Sequence, residues 1–125
     1  MKLDIDGTGE VELEATMYTL VVYENAFGTD PIKDVFGKHQ VQQGDQTVLT
    51  IDYTQENWTK EIQLLWAMVK TAADLKEERG DLAPNDRVPG GRSGFEAWTK
   101  RYGKVNMHDI ANAVIEEAVQ GFFRS

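Results

Sequence analysis

One long stretch, residues 54–75, constrains the fold of this chain more than any other. It reads TQENWTKEIQLLWAMVKTAADL, contains two of the three tryptophans and has no glycine or proline. Its apolar residues recur every three or four positions, which is the spacing of one face of an α-helix. They are Trp58, Ile62, Leu65, Trp66, Met68, Val69 and Ala72, and Leu64 and Ala67 widen the face. Because the face is so wide, we predict a central helix that other elements enclose.

The polar residues of this stretch predict where the helix begins and which side meets solvent. Thr54 is the predicted N-cap, because its hydroxyl can accept a hydrogen bond from a free amide of the first turn. Glu56 suits the positive end of the helix dipole. Lys60, Glu61 and Lys70 are predicted to face water. The helix itself should serve as the core that holds the other surfaces in place.

The composition limits the class of protein. With 125 residues, 41% of them hydrophobic and 27% charged, the chain suits one domain with a modest core. It has no cysteine, which excludes disulfides and thiolate chemistry. A net charge of −8 disfavours nucleic acid as a partner, because phosphate groups would repel the chain. No stretch approaches the ~20 apolar residues of a membrane span, and the opening MKLDIDG lacks the apolar run of a signal peptide, so we expect a cytosolic protein.

The N-terminal residues 1–15 are typical of an antiparallel β-hairpin. Apolar residues alternate with charged ones on both sides of residues 7–9 (GTG), which have the backbone freedom of a tight turn. Asp4 and Asp6 also imitate the spacing of a calcium-binding loop, but Ala15 stands where that loop needs a bidentate glutamate. A hairpin without a metal ion is therefore the leading interpretation.

The next segments predict two helices in succession. Residues 16–27 should form a helix with Thr16 as its N-cap and Gly28 as its left-handed terminator. Its inner face is predicted to contain Met17, Leu20, Val21 and Phe27, with Tyr18, Val22 and Tyr23 extending the apolar surface. A short helix follows over residues 31–36, because an N-cap aspartate followed by proline is a start signal.

Two regions are harder to assign. Residues 38–45 are polar and are predicted to form a loop, whereas residues 47–53 (TVLTIDY) are either a third strand beside the hairpin or merely extended. Residues 76–92 are rich in glycine, proline and charge, and a connection of this length is usually functional or mobile. We predict a mobile surface loop there, within the single domain, because the remaining chain is too short to form a core of its own.

Two helices are predicted after this loop. Ser93 and Glu96 fit a capping box, in which both side chains satisfy free amides of the first turn. The last helix should begin after an N-cap at Asn106 and loosen or end at Gly121. The apolar face of the first helix consists of Phe95, Trp98 and Tyr102, and that of the second of Met107, Ile110, Ala111, Val114, Ile115, Ala118 and Phe122. The second face follows helical spacing without a gap.

The sequence supplies no catalytic constellation. His39 and His108 lack the H-x-x-x-H spacing of a metal-binding helix, and residues 89–94 lack the G-K-[ST] ending of a phosphate-binding loop. No G-x-S-x-G turn is present. Neighbouring carboxylates such as Glu116 and Glu117 point about 100° apart on a helix and do not converge on a substrate. We therefore predict a binding or assembly protein that is not an enzyme and holds no cofactor or metal ion.

The order of these motifs resembles that of the tail assembly chaperones of long-tailed phages and of prophages in Gram-positive bacteria. The resemblance is carried by the hairpin and the first helix ending in YENAFG, by DPIKDVFG, by DYTQENWTKEIQLLWAMVKTAAD and by SGFEAWTKRYG before an amphipathic final helix. It covers nearly the whole chain in the expected order. Residues 38–52 and 76–92 are the parts that depart from the family pattern.

The resemblance implies a function. Such proteins bind the long, helical, aggregation-prone tape measure protein and keep it soluble while tail tube subunits polymerise around it. They act in the cytoplasm of the bacterial host and are absent from the finished virion. Many are made in two lengths by a ribosomal frameshift, which would make this chain the short form. The tail tube protein and a second copy of this chain stay open as further partners, and a structural tail or head-tail connector subunit is the alternative class.

These inferences give one fold and one candidate surface. We expect an α+β fold, with an N-terminal antiparallel β-hairpin of two or three strands packed on a mostly α-helical body of about five helices. The candidate partner-binding residues are Val119, Phe122 and Phe123, because a chain terminus is rarely fully buried and aromatic anchors can dominate an interface. The alternative is that both phenylalanines pack inside the protein.

Overall fold

The computed structural model describes residues 1–4, 10–36, 40–44, 46–49, 58–102 and 107–123. Within them, two separate antiparallel β-hairpins accompany a mainly helical body, which confirms the α+β layout. The elements are β1 (Lys2–Asp4), β2 (Glu10–Glu12), α1 (Met17–Phe27), a π-helix (Ile32–Phe36), β3 (Gln40–Gln43), β4 (Gln46–Leu49), α2 (Trp58–Arg79), a 3-10 turn (Pro84–Asp86), α3 (Gly91–Arg101) and α4 (Met107–Phe123).

The N-terminal hairpin lays one face on the helices, as predicted. Leu3 lies opposite Val11 in the β1–β2 pair, and both pack against the core. Met1 extends the pairing by exchanging two backbone hydrogen bonds with Leu13, which is fully buried. The predicted turn and part of the calcium-like spacing fall on residues 5–9, outside the described residues.

The second hairpin corrects the assignment of the segment after the π-helix. The prediction of a loop over residues 38–45 is wrong, because Gln40–Gln43 form β3 and pair antiparallel with β4. The strand expected within 47–53 is present over Gln46–Leu49, but its partner is β3 and the N-terminal sheet keeps two strands. Gly44 in the connecting turn has a positive φ of 61°, which favours glycine. Residues 50–53 lie outside the described residues.

The ends of α1 form as its sequence predicts. Thr16 accepts a hydrogen bond from the Tyr18 amide at 3.1 Å, and its own amide donates to the Thr19 hydroxyl at 3.0 Å. Gly28 ends the helix with a φ of 73°. The side chain of Asp30 then accepts from the Ile32 amide at 2.8 Å, so the predicted short helix begins as expected, although it has π geometry.

The middle of α2 is the core of the protein, as its wide apolar face predicts. Every residue from 63 to 69 is buried, and Trp66 is fully inaccessible. The rings of Phe27 on α1 and Phe95 on α3 each meet Trp66 edge-on, with centroids 5.7 Å away. They also meet each other at 5.1 Å. Three helices are therefore joined through one aromatic cluster.

Three predictions about α2 are wrong. Trp58, assigned to the inner face, is 39% exposed in the first turn, and Glu61, assigned to solvent, is buried. The helix also continues to Arg79, because the KEER sequence has good helix propensity even though the apolar stripe has ended. The predicted N-cap, Thr54, lies outside the described residues. The connection to α3 is consequently shorter than predicted and spans residues 80–90; its mobility stays a prediction.

The start of α3 differs from the predicted capping box. The helix begins at Gly91, and its N-cap, Gly90, makes no side-chain capping bond, so Ser93 lies inside the first turn. Gly94 is buried against the preceding segment, where an added Cβ would lie 2.5 Å from the carbonyl carbon and oxygen of Pro89. A close backbone contact, rather than a side-chain cap, therefore fixes this end of α3.

Tyr23 connects α1 to two neighbouring elements through its hydroxyl. The hydroxyl oxygen lies 3.0 Å from a carboxylate oxygen of Asp34 and 3.0 Å from the amide oxygen of Gln63. Burial, and secondly the hydrogen bond to Asp34, raise the pKa of Tyr23 far above its ordinary value. The folded protein therefore holds this phenol in its neutral form.

We expect Tyr23→Phe to lower the free energy of unfolding by about 1–2 kcal/mol, because buried polar atoms lose their partner. The unfolded chain ionises the tyrosine above about pH 10, whereas the folded chain does not, so wild-type stability should fall as the pH rises past that value. The loss of stability with rising pH should be smaller in Tyr23→Phe than in the wild type. Urea unfolding of both proteins at roughly pH 8 and pH 11 measures this, and equal pH dependence would contradict it.

Candidate protein-binding surface

No group of three or more histidine, cysteine or acidic side chains among the described residues could hold a metal ion. In the same part of the chain, no helix combines the length and apolar character needed to cross a bilayer. His39 and the side chain of His108 lie outside what the structure describes. The most distinctive features are exposed apolar side chains.

Helix α1 is apolar on both sides, but only one side is covered. Its buried residues are Thr19, Val22, Tyr23 and Ala26. Met17 is 72% exposed, Val21 is 50% exposed and Tyr18 is 41% exposed. The prediction that Met17 and Val21 lie on the inner face is therefore wrong. A helix with apolar residues all round is normally enclosed, so an open apolar face on α1 needs an explanation.

Polar contacts to α2 set the rotation of α1. The hydroxyls of Thr19 and Thr71 lie 2.7 Å apart in a fully buried pair. One residue earlier, the Tyr18 hydroxyl donates to Asp74 at 2.6 Å, and this bond is the main cause that raises the pKa of Tyr18 to about 12. These pairs require Thr19 to face α2, and Met17 consequently points outward.

The end of α4 is also different from its prediction. The helix continues through Gly121 to Phe123 instead of loosening there. A Cβ added to Gly121 would collide with the carbonyl oxygen of Ala15 and lie 2.5 Å from the Ala15 Cβ. Gly121 is therefore a point of close approach, where α4 lies directly against the segment that precedes α1.

The three predicted binding residues separate into two groups. Val119 and Phe122 are partly buried and pack against the core, whereas Phe123 is 39% exposed. The rings of Phe122 and Phe123 meet edge-on, with centroids 6.4 Å apart. Of the three, Phe123 is the one that offers an exposed apolar surface.

Three parts of the chain that carry exposed apolar side chains approach one another along residues 13–17. Met1, 44% exposed, is hydrogen-bonded to Leu13, and the end of α4 that carries Phe123 packs on Ala15. Met17 follows two residues later. Five residues of extended chain span at most ~18 Å, so the backbone positions that carry these side chains lie near the start of α1. We call the set Met1, Met17, Tyr18, Val21 and Phe123 the apolar patch.

The two helices that contribute most of the patch have acidic but no basic side chains. Helices α1 and α4 contain no lysine or arginine, whereas α2 carries four and α3 carries three. The acidic residues of α1 and α4 are Glu24, Asp109, Glu116 and Glu117. Glu24 is exposed and lies three positions after Val21, on the same side of α1. The patch is thus an apolar surface that is bordered by Glu24 on α1 and by the N-terminal ammonium and Lys2 at Met1.

A groove of about 780 Å³ lies between β2, the end of α2, residues 81–89 and α3. Its floor is formed by Val69, Ala72, Ala73 and Trp98. Charges of both signs line its rim, and Lys76 pairs there with Glu12 and lowers the pKa of that carboxyl. No residue of the apolar patch and none of the predicted binding residues lines this groove.

Comparisons with protein-family models, with curated proteins and with solved structures find no match for this chain. The family resemblance of its motifs therefore stays a hypothesis. The apolar patch, the charge of the chain and the order of its motifs are the features that bear on its function.

Proposed function

We propose that this protein is a tail assembly chaperone of a long-tailed phage or prophage, which binds the tape measure protein and keeps it soluble while the tail tube polymerises. The order of the sequence motifs supports this family. The observation that carries the proposal is the apolar patch on a chain of net charge −8. A protein that shields an aggregation-prone chain needs exposed apolar anchors on a body that repels its own copies.

The patch has the character of an anchor site. Its members are two methionines, two aromatic residues and a valine. Methionine is flexible and polarizable and adapts to varied apolar partners, and aromatic side chains dominate many interfaces. Such a surface suits reversible contact with repeated helical segments of a client, and the action we propose involves no catalysis. The protein would bind this client in the host cytoplasm, before the virion is complete.

The first test is co-expression with the tape measure protein that the proposal expects to be encoded in the same phage or prophage. We expect the chain to keep that protein in the soluble fraction, and Phe123→Ala to lower its recovery by about fivefold, the loss of one interface anchor worth about 1 kcal/mol. The thermal unfolding of Phe123→Ala should be nearly unchanged because the side chain is exposed.

Phe122→Ala is the matched control for this experiment. Its ring packs against the core, so this substitution should lower the melting temperature through lost burial. Undiminished recovery of the tape measure protein with Phe123→Ala would remove Phe123 from the binding surface. Insolubility of the tape measure protein despite co-expression would contradict the chaperone function itself.

A second test separates the chaperone from a structural tail or connector subunit. A chaperone leaves the assembly before the virion is finished, whereas a structural subunit stays in it at a fixed copy number. Mass spectrometry of purified particles should therefore detect the tail tube protein and not this chain. Detection of this chain at a copy number comparable to that of a tail protein would overturn the proposal.

A further inference from the structure

We propose that the outward face of α1 docks an amphipathic helix of the client whose apolar stripe is flanked by lysine and arginine. This inference rests on the proposed function, which supplies a helical client, and it specifies the chemistry of the segment that the client presents. The outward face consists of Met17 and Val21, and Tyr18 lies at its edge, where its hydroxyl bonds to Asp74 of α2.

The geometry of α1 suits a helix as occupant. Met17 and Val21 are one turn apart on the same side and are the two most exposed large apolar side chains of α1. The helix has 11 residues, so it offers a ridge of about 16 Å, or three turns. A client helix laid along this ridge would contact it with apolar residues at i, i+3 or i+4, and i+7. Met1 is hydrogen-bonded to Leu13, four residues before Met17, and Gly121, two residues before Phe123, lies against Ala15.

The face is held ready for binding by its opposite side. The capping contacts of Thr16, the Thr19–Thr71 hydroxyl pair and the Tyr18–Asp74 bond fix the position and rotation of α1. Met17 and Val21 are therefore presented by a supported helix. Docking needs rearrangement of side chains only, which keeps its entropic cost small.

The charges select the kind of helix. The absence of lysine and arginine from α1, together with the exposed Glu24 on the same side as Val21, favours cationic flanks on the partner. A second copy of this chain would bring a further −8 charge and the same carboxylates to the contact, which disfavours a homodimer through this face. The anionic headgroups of a bacterial membrane are disfavoured for the same reason.

The test uses synthetic peptides and the full-length chain labelled with nitrogen-15. Three peptides of about 18 residues, five helical turns, are compared. The first has a leucine stripe with lysine flanks, the second has the same stripe with glutamate flanks, and the third is a scrambled version of the first without a stripe. Amide resonances report both the affinity and the location of binding.

We expect the lysine-flanked peptide to bind saturably and to shift resonances of residues 17–24 and 121–123. The glutamate-flanked peptide should bind at least roughly tenfold more weakly, and the scrambled peptide should not saturate. The double substitution Met17→Ser with Val21→Ser should weaken binding at least roughly tenfold. Trp58→Ser is the matched control, because Trp58 is also exposed but lies at the end of α2 that is remote from Thr71.

Several results would overturn the inference. They are equal binding of the lysine- and glutamate-flanked peptides, shifts confined to the groove beside α3, and full affinity after the double substitution. Concentration-dependent dimerisation in sedimentation experiments that the double substitution abolishes would assign the face to a second copy instead.

The inference and the proposed function fail separately. If the tape measure protein co-purifies equally with the double variant and the wild type, the docking face is wrong while the chaperone function stands. If the peptide docks on α1 but the tape measure protein neither binds nor stays soluble, the chaperone function is wrong while the docking face stands. Circular dichroism of each variant confirms that the fold is intact.

Discussion

Replacing Gly121 by alanine should lower the free energy of unfolding by about 2–3 kcal/mol. The added Cβ would collide with the backbone of Ala15, which cannot swing aside as a flexible side chain can. The end of α4 must then move away from the segment that precedes α1, and the packing of Phe122 on the core is disturbed. Urea unfolding measures the loss directly.

The sign of the effect makes this a sharp test. In an exposed helix, alanine is more favourable than glycine by up to about 1 kcal/mol. Stabilisation of the protein by Gly121→Ala would therefore show that α4 does not approach Ala15 in solution. The adjacent Gln120→Ala serves as the control, because Gln120 is exposed and alanine should leave the stability within about 0.5 kcal/mol.

The packing of α2 and α4 could be predicted from the sequence because each helix has distinct apolar and polar sides. In α4 the predicted face includes Ile110, Val114 and Ile115, and all three are buried. In α2 the apolar stripe around Trp66 predicted an enclosed helix, which the structure confirms. Local periodicity is sufficient to predict the buried side of a helix where one side is clearly apolar.

The rotation of α1 could not be predicted in this way. Its apolar residues surround the helix, so spacing alone favours no side. The choice is made by the buried contact between Thr19 and Thr71, two residues 52 positions apart in the sequence. A threonine in an apolar stretch gives no local signal that its hydroxyl has a distant partner. The exposed Met17 and Val21 were missed for this reason.

The end of α4 shows the same limit. A glycine near a helix terminus is typical of a helix stop, yet Gly121 is helical because a neighbouring backbone occupies the space of a side chain. The contact that explains it lies more than 100 residues away in sequence, at Ala15. The sequence placed Phe123 among three candidate binding residues, but it gave no sign that Gly121, two residues earlier, lies against Ala15.

The strand β3 escaped prediction for a different reason. Three of its four residues are glutamines, which lack the β-branched or aromatic character that marks a strand. Its pairing with β4 supplies backbone hydrogen bonds that do not depend on side-chain type. A strand of this composition forms through backbone pairing, and it cannot be predicted from alternating apolar residues.

Replacing Trp66 by alanine should produce the largest loss of stability in this protein, about 3–5 kcal/mol. The ring is fully buried and touches Phe27 on α1 and Phe95 on α3, so its removal opens a cavity where three helices meet. Binding of a client helix to the outward face of α1 should weaken as well, because Phe27 on α1 loses its contact with the Trp66 ring. Thermal and urea unfolding measure the loss.

Trp66→Phe separates the contribution of the ring from that of its polar atom. The indole Nε1 has no hydrogen-bond partner among the described residues, so the variant loses volume and edge contacts but no hydrogen bond. We expect a cost of about 1–2 kcal/mol, well below that of alanine, because most of the aromatic packing is kept. A cost for phenylalanine close to that for alanine would mean that the indole N–H is hydrogen-bonded in solution, and that the junction of the three helices is held by a polar contact rather than by aromatic packing.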